Sequence, residues 1–261
     1  MSKAVAKQKE NSKRANGTYL EGLAGICSTL VVGLFVLTFI FQNFAIPSAS
    51  MASTLLVGDH VLVERATLSP STSWAHFMPY RALHRGEPVV FFKPVADFDG
   101  KYSILVKRVI GLPGDRIHLR RGIVYLNGVA QNEPQAGKPT YANYDPYRDD
   151  FPSISPSGRP DVTAEWSLDL PAHIQGEDLV VPKDNYFVMG DNRTNSLDGR
   201  YWGFISRENL IGRPLFVYWS FEMPANQMYK TTLPDRASYT LHQLVHFFDE
   251  TRWRRTLHKI E

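Results

Sequence analysis

Hydrophobic and polar positions along this chain follow three patterns in succession. The first is a solid block: from Leu23 to Phe41 the sequence LAGICSTLVVGLFVLTFIF runs for about 19 residues without a charge. Coiled as a helix at about 1.5 Å per residue it reaches ~29 Å, which matches a bilayer core of ~30 Å. A removable leader carries an apolar region of only about 7 to 15 residues before a small-x-small cleavage site. Ser48-Ala49-Ser50 has the form of such a site, but the length of the run favours a retained anchor.

Beyond Ser50 the pattern changes to short runs rich in Val, Ile, Phe or Tyr between turn residues. His60 to Glu64, Pro88 to Lys93, Ser103 to Gly111, Arg116 to Arg120, Ile123 to Leu126, Leu179 to Val181, Tyr186 to Met189 and Leu210 to Tyr218 read as strands. Arg121-Gly122 lies between two of them as a tight hairpin turn, and Asn127-Gly128 marks another directly after. These features predict a mostly β, antiparallel domain. Two segments interrupt it: Ala66 to Arg85 is polar and mixed, and Ala130 to Glu177 is dense in Pro, Tyr, Asp and Gly without a period. The second is too long for an ordinary connection, so it is either a small subdomain or a partly ordered excursion.

In the third pattern, between Tyr239 and His258, Leu241, Leu244, Val245, Phe248 and Trp253 recur at roughly helical spacing, with Arg252, Arg254 and Arg255 at one end. An amphipathic helix lying on a membrane surface fits this pattern, as does one packed on its own domain. The organisation expected is a basic tail over 1–22, a transmembrane helix over 23–42, a β domain over 43–235 with insertions at about 66–85 and 130–177, and an amphipathic C-terminal segment over 236–261.

Charge sets the orientation. Lys3, Lys7, Lys9, Lys13 and Arg14 precede the apolar block, and no Lys or Arg follows it until Arg65. The amino terminus is therefore expected in the cytoplasm and the rest outside, with a single span. The balance of 29 basic against 26 acidic residues argues against a nucleic-acid partner. The one cysteine, Cys27, falls inside the block, so no intramolecular disulfide can form.

Ser48 and Ser50, in IPSASMASTLL, have no obvious packing task and are candidates for chemistry. A hydroxyl needs a base, and the chain has neither a G-x-S-x-G elbow nor a serine followed by lysine at the third position. Lys107 stands at the centre of the apolar run ILVKRVI. Lowering a lysine by about two pKa units takes roughly 3 kcal/mol, which burial can supply; the alternative is a strand lysine snorkelling to solvent. A third cluster, NYFVMGDNRTNSLDGRYWGF, holds Asp191, Arg193, Ser196, Asp198 and Arg200 after a strand. Alone it reads equally as a salt-bridged turn or a cation-binding loop. His242 and His246 are four apart, but without an H-E-x-x-H pattern or an evident carboxylate partner they read as ordinary helix positions, and no metal is expected.

IPSASMASTL, VKRVIGLPGD and GDNRTNSLDGRYWG, in this order behind an apolar block, resemble the three sequence boxes of bacterial type I signal peptidases, the leader peptidase family of membrane-anchored Ser/Lys serine proteases. The resemblance implies that Ser50 is the nucleophile and Lys107 the general base. It implies that Ser48, with the Ser50 backbone N–H, forms the oxyanion hole, and that Ser196 hydrogen-bonds the lysine nitrogen. Asp198 with Arg200, and Asp191 with Arg108, are implied as supporting ion pairs. Phe44, Ile46, Met51, Leu55, Leu105 and Val106 fall where the family lines two shallow pockets that admit small residues. The implied substrates are secretory preproteins, cut near the export translocon at the bacterial inner membrane, with lipid as neighbour and without a metal or organic cofactor. A specialised processing peptidase of the same family and a catalytically idle preprotein binder are the rival readings. Two positions depart from the common pattern: Ser53 stands where proline is frequent, and Gly199 where some members have serine.

Overall fold

The computed structural model describes residues 2–68, 81–97, 99–223 and 232–260, with side chains from residue 19 onward, and divides the chain into two units, Met1–Gln42 and Asn43–Glu261. The basic side chains before residue 19 and most of the polar segment expected at 66–85 lie outside the described residues.

The first unit is helix α1 (Ser2–Phe35) followed by one π-helical turn (Val36–Ile40). Within the 22 residues from Tyr19 to Ile40 an 18-residue window has a mean hydropathy of 2.4 and is nowhere buried, so by length and composition this stretch can cross a membrane. Helical geometry ends at Ile40, two residues short of the limit expected for the anchor, because Phe41 is already extended, with φ −124° and ψ 151°.

The second unit is built on two antiparallel sheets. Its strands are β1 (Phe41–Ala45), β2 (Asp59–Glu64), β3 (Pro88–Phe92), β4 (Ile104–Gly111), β5 (Arg116–Arg120), β6 (Ile123–Leu126), β7 (Val129–Ala130), β8 (Ile174–Gln175), β9 (Asp178–Val180), β10 (Asn185–Met189), β11 (Ile205–Ser206), β12 (Leu210–Ser220) and β13 (His258–Lys259). The larger sheet runs β1-β2-β12-β3-β4-β10-β11, with β13 added to β12, and the smaller runs β7-β6-β5-β9-β8. All eight runs read from the sequence form strands within a residue or two of their expected limits. The two-residue strands are too short to stand out as runs between turn residues, and β1 adjoins the end of the apolar block, which is why the pattern missed them. At the β5–β6 turn Arg121 and Gly122 have φ of 50° and 74°, the left-handed pair that a two-residue hairpin requires.

Alternation along β3 divides the core. Val89 and Phe91 face a larger cluster with Val109, Phe187 and Val188, while Val90 faces a smaller one with Ile46, Met51, Leu55, Val61 and Val217. With both faces covered, β4 is buried from Lys107 to Gly111, so any charge on it must find a partner inside.

The long insertion is a packed subdomain rather than a loose excursion. Asp145 caps α2 (Pro146–Asp149) by accepting from Tyr147 N and Arg148 N, and Thr163 caps α3 (Ala164–Asp169). These turns deliver Tyr147, Phe151, Val162, Trp166 and Leu170 into the larger core cluster. The short α4 (Gly199–Trp202) adds Tyr201 and Trp202 to it.

The C-terminal helix, α5 (Leu233–Val245), begins three residues ahead of the expected boundary because Thr232 caps it, accepting from Asp235 N. Leu241, Leu244, Val245 and Phe248 are exposed. The chain then returns to its own domain through Glu222 N–H, which donates to Glu250 O at 3.0 Å, and through β13.

Candidate active site

Ser50 sits in a single 3-10 turn (Ala49–Met51) entered from extended Ser48 at φ −130° and ψ 156°. Met51 and Leu55 pin this turn into the smaller cluster, being 1% and 0% exposed. Asn192 clamps it from the other side: its backbone N–H donates to Ser50 O at 3.0 Å and its Nδ2 to Ala49 O at 3.1 Å. Held this way, Ser50 Oγ lies 2.6 Å from Lys107 Nζ and 3.3 Å from Ser48 Oγ.

Lys107 pairs across the sheet with Val89 and is 2% exposed. Burial lowers its pKa to about 8, against the opposing pull of the Asp198 and Asp191 charges. An ammonium here loses its hydration without gaining a salt bridge, so the neutral amine is accessible near neutral pH. The expected snorkelling alternative does not occur.

Two buried ion pairs set the walls. Arg108, the residue after Lys107, donates to Asp191 through Nε and Nη2, both at 2.7 Å, and to Thr54 Oγ1 at 3.1 Å. Arg200 donates to Asp198 from Nε at 2.9 Å and from Nη2 at 2.8 Å. Burial opposes ionisation of Asp198, but the Arg200 charge, the Arg200 hydrogen bond and the Gly190 N–H outweigh it and leave its pKa below the usual value. Gly190 joins this wall to the serine: a Cβ there would lie 2.5 Å from Ser50 O and 2.3 Å from Ser196 Oγ, so only glycine permits the approach.

Ser196 is also buried here, but it does not make the expected bond to Lys107. Its Oγ abuts the Gly190 backbone and has no hydrogen-bond partner among the described residues, while Ser50 takes the lysine nitrogen. Of the expected pocket residues, Ile46, Met51 and Leu55 form one cluster with Phe44 and Val106 packed on it. Leu105, one position along β4, packs instead against the larger cluster, because successive strand residues face opposite ways.

Sequence reasoning missed the braces. Glu133 accepts both Arg193 Nη1 at 2.9 Å and Nη2 at 2.6 Å, Gly137 N–H donates to Asp191 O at 2.8 Å, and Ser53 Oγ donates to Gln135 O at 2.7 Å. The insertion thus supports both loops of the site. Behind the serine turn, Arg255 binds the buried Asp59 through Nε and Nη2 and donates to Thr54 O at 2.9 Å. Asn192 and Arg193 had a local signal in the third cluster, whereas nothing local marked Glu133, Gln135 or Gly137.

An antiparallel β domain that brings a serine hydroxyl against a buried lysine amine has the parts of a serine hydrolase. Residues 20–219 match the family described as signal peptidase, peptidase S26. Signal peptidase I of Buchnera aphidicola (subsp. Acyrthosiphon pisum) is 31% identical over 260 residues, covering 84% of this chain and 82% of its own length. Signal peptidase I of Aquifex aeolicus is 33% identical over 226 residues, covering 74% and 81% respectively. A crystal structure of a signal peptidase I from Enterococcus faecalis V583 is 26% identical, covers 51% of this chain and 97% of its own, and has a TM-score of 0.31. The chain belongs to the signal peptidase family, peptidase S26, a family of serine endopeptidases.

Proposed function

We propose that this chain is a membrane-bound endopeptidase that removes signal peptides from exported preproteins, with Ser50 as nucleophile and Lys107 as general base. The contact of 2.6 Å between Ser50 Oγ and a lysine whose pKa is lowered to about 8 carries the reading. It also favours an active enzyme over an idle preprotein binder.

In this mechanism neutral Lys107 takes the Ser50 proton as Oγ attacks the carbonyl carbon of the scissile bond. The oxyanion that forms meets the Ser48 hydroxyl and the Ser50 backbone N–H, donors that are often worth about 3 kcal/mol each. The C–N bond breaks and Lys107 returns its proton to the leaving amine, the new amino terminus of the mature protein. Water, deprotonated by Lys107, then attacks the acyl-enzyme carbonyl; the ester C–O bond breaks, Lys107 returns the proton to Ser50 Oγ, and the signal peptide leaves as a carboxylic acid that ionises in solution.

Close packing of Ile46, Met51 and Leu55, with Phe44 and Val106 against them, supports a preference for small side chains, since a larger one would displace buried atoms. The apolar Tyr19–Ile40 helix supports anchoring in the bacterial inner membrane, with the catalytic unit outside and its preprotein substrates arriving from the export translocon. The test is cleavage of several preproteins in detergent by Ser50→Ala and Lys107→Ala. Both are expected to be folded and inactive, and near-normal turnover by either overturns the dyad. Broad turnover across unrelated preproteins separates general secretion from a specialised processing role.

A further inference from the structure

Away from the serine, the end of α5 gathers a second set of reactive side chains. His242 and His246 stand one helical turn apart with ring centroids 4.5 Å from each other. The helix ends at Val245, and a turn held by Glu250 N–H donating to His246 O at 3.0 Å folds the next residues back over both rings. His242 Nε2 then lies 2.8 Å from Glu250 Oε2, and His246 Nδ1 lies 2.9 Å from Asp249 Oδ2 and 3.9 Å from Glu250 Oε1. Among the described residues this is the one group of three His, Cys, Asp or Glu whose ligand atoms all lie within 4.8 Å of one another. The sequence reading that the two histidines lack a carboxylate is thereby corrected. Glu250 lies past the helix end, where helical spacing gives no guide.

We propose that His242, His246 and Glu250 bind a divalent transition-metal ion of the zinc class, with the Asp249 carboxylate beside His246 as the fourth donor. Two imidazoles and a carboxylate suit zinc, whereas calcium and magnesium take oxygen ligands. Tetrahedral coordination with bonds of about 2.1 Å sets donor atoms about 3.4 Å apart. The present histidine–carboxylate separations of 2.8 to 3.9 Å bracket that value, and all three ligand atoms of His242, His246 and Glu250 lie within 4.8 Å of one another. The His242 ring is held in place by Phe221 edge-on at 6.2 Å and Tyr239 stacked at 6.3 Å. Each ring has its own hydrogen-bonded acid, Glu250 for His242 and Asp249 for His246, and Glu250 Oε1 also lies 3.9 Å from His246 Nδ1, so the two pairs share one space rather than standing apart. The ion would fasten α5 to the returning segment whose Arg255 holds Asp59 and Thr54.

The test uses the full-length, untagged protein in detergent after chelator treatment. It is titrated calorimetrically with Zn2+, and with Co2+ while the visible band of tetrahedral cobalt is followed. Wild type is expected to bind one equivalent, show the band and melt at higher temperature with Zn2+. His242→Ala and His246→Ala should each weaken binding more than ~10-fold and lose the band. Glu250→Gln, nearly isosteric, should do the same and decides the matter if an alanine variant is unfolded by circular dichroism. His84→Ala, at an exposed histidine elsewhere, should bind as wild type. Absence of saturable binding by wild type, undiminished binding by the His242/His246 double variant, or equal loss in His84→Ala overturns the proposal.

Discussion

Lys107 Nζ reaches Ser50 Oγ at 2.6 Å across 57 residues of sequence, from a lysine only 2% exposed. The next residue on the strand, Arg108, closes on Asp191 and on Thr54. One strand thereby supplies both the candidate base and a tie that holds the facing loop.

The first expectation concerns rate against pH. A protonated Lys107 cannot accept the Ser50 proton, so kcat/KM should fall about tenfold per pH unit below about 8 and level off above it. Profiles measured on a synthetic preprotein peptide check this, and a flat profile would count against a lysine base. Lys107→Arg should be inactive throughout, since a guanidinium does not deprotonate.

The same shift governs stability. Lys107 titrates at about 8 when folded and near 10.5 when unfolded, so the unfolded chain binds the extra proton between these values. Its cost to the fold is therefore full below about pH 8 and is relieved as pH rises toward 10.5. Lys107→Met should be more stable than wild type at neutral pH, by an amount on the order of 3 kcal/mol, and should lack this rise. Urea melts at several pH values measure both.

Removing one partner of a buried pair leaves an uncompensated charge. Asp198→Ala should cost about 3–5 kcal/mol, because Arg200 is 0% exposed and loses its two-point partner. The double variant Asp198→Leu/Arg200→Met should recover part of that loss in the same unfolding assay.

Gly190→Ala places a methyl group 2.5 Å from Ser50 O, so the nucleophile's backbone must move. A displacement near 1 Å is expected to reduce turnover about 100-fold while substrate binding changes little. Steady-state kinetics separating kcat from KM reads this directly.

Ser53 has φ of 93°, outside the range open to proline. Ser53→Pro should therefore destabilise the serine turn by about 1–3 kcal/mol and lower turnover, despite the frequency of proline here in the family the chain resembles. Ser53→Gly should stay within about 1 kcal/mol of wild type. Thermal melts of the two variants test the difference.

Much of this protein was legible as local pattern. Short runs rich in Val, Ile, Phe or Tyr between turn residues located eight strands, the Arg121-Gly122 turn identified its hairpin, and the three motifs marked Ser50, Lys107 and Asp198 for attention. The roles of Glu133 and Arg255 were not legible, because each acts on a loop far away in sequence: Glu133 sits in a stretch without periodicity, and Arg255 read only as part of the basic end of the C-terminal pattern. Ser196 and Leu105 show the converse. A motif position predicts proximity, but whether a hydroxyl meets the lysine, or which face a side chain joins, follows from packing.

What the sequence determined by itself was whatever depends on neighbouring residues: an uncharged run long enough to span a bilayer, β-rich runs set between turn residues, and a lysine set among apolar residues. Only the tertiary structure decided which charges converge. It put β3 and β10 on either side of Lys107 and thereby removed its water. It folded the insertion onto the Asp191 loop, and it brought Glu250 back onto His242 and His246. The physical reason is that desolvation and ion pairing depend on distances through space, which chain order leaves free until the core has packed.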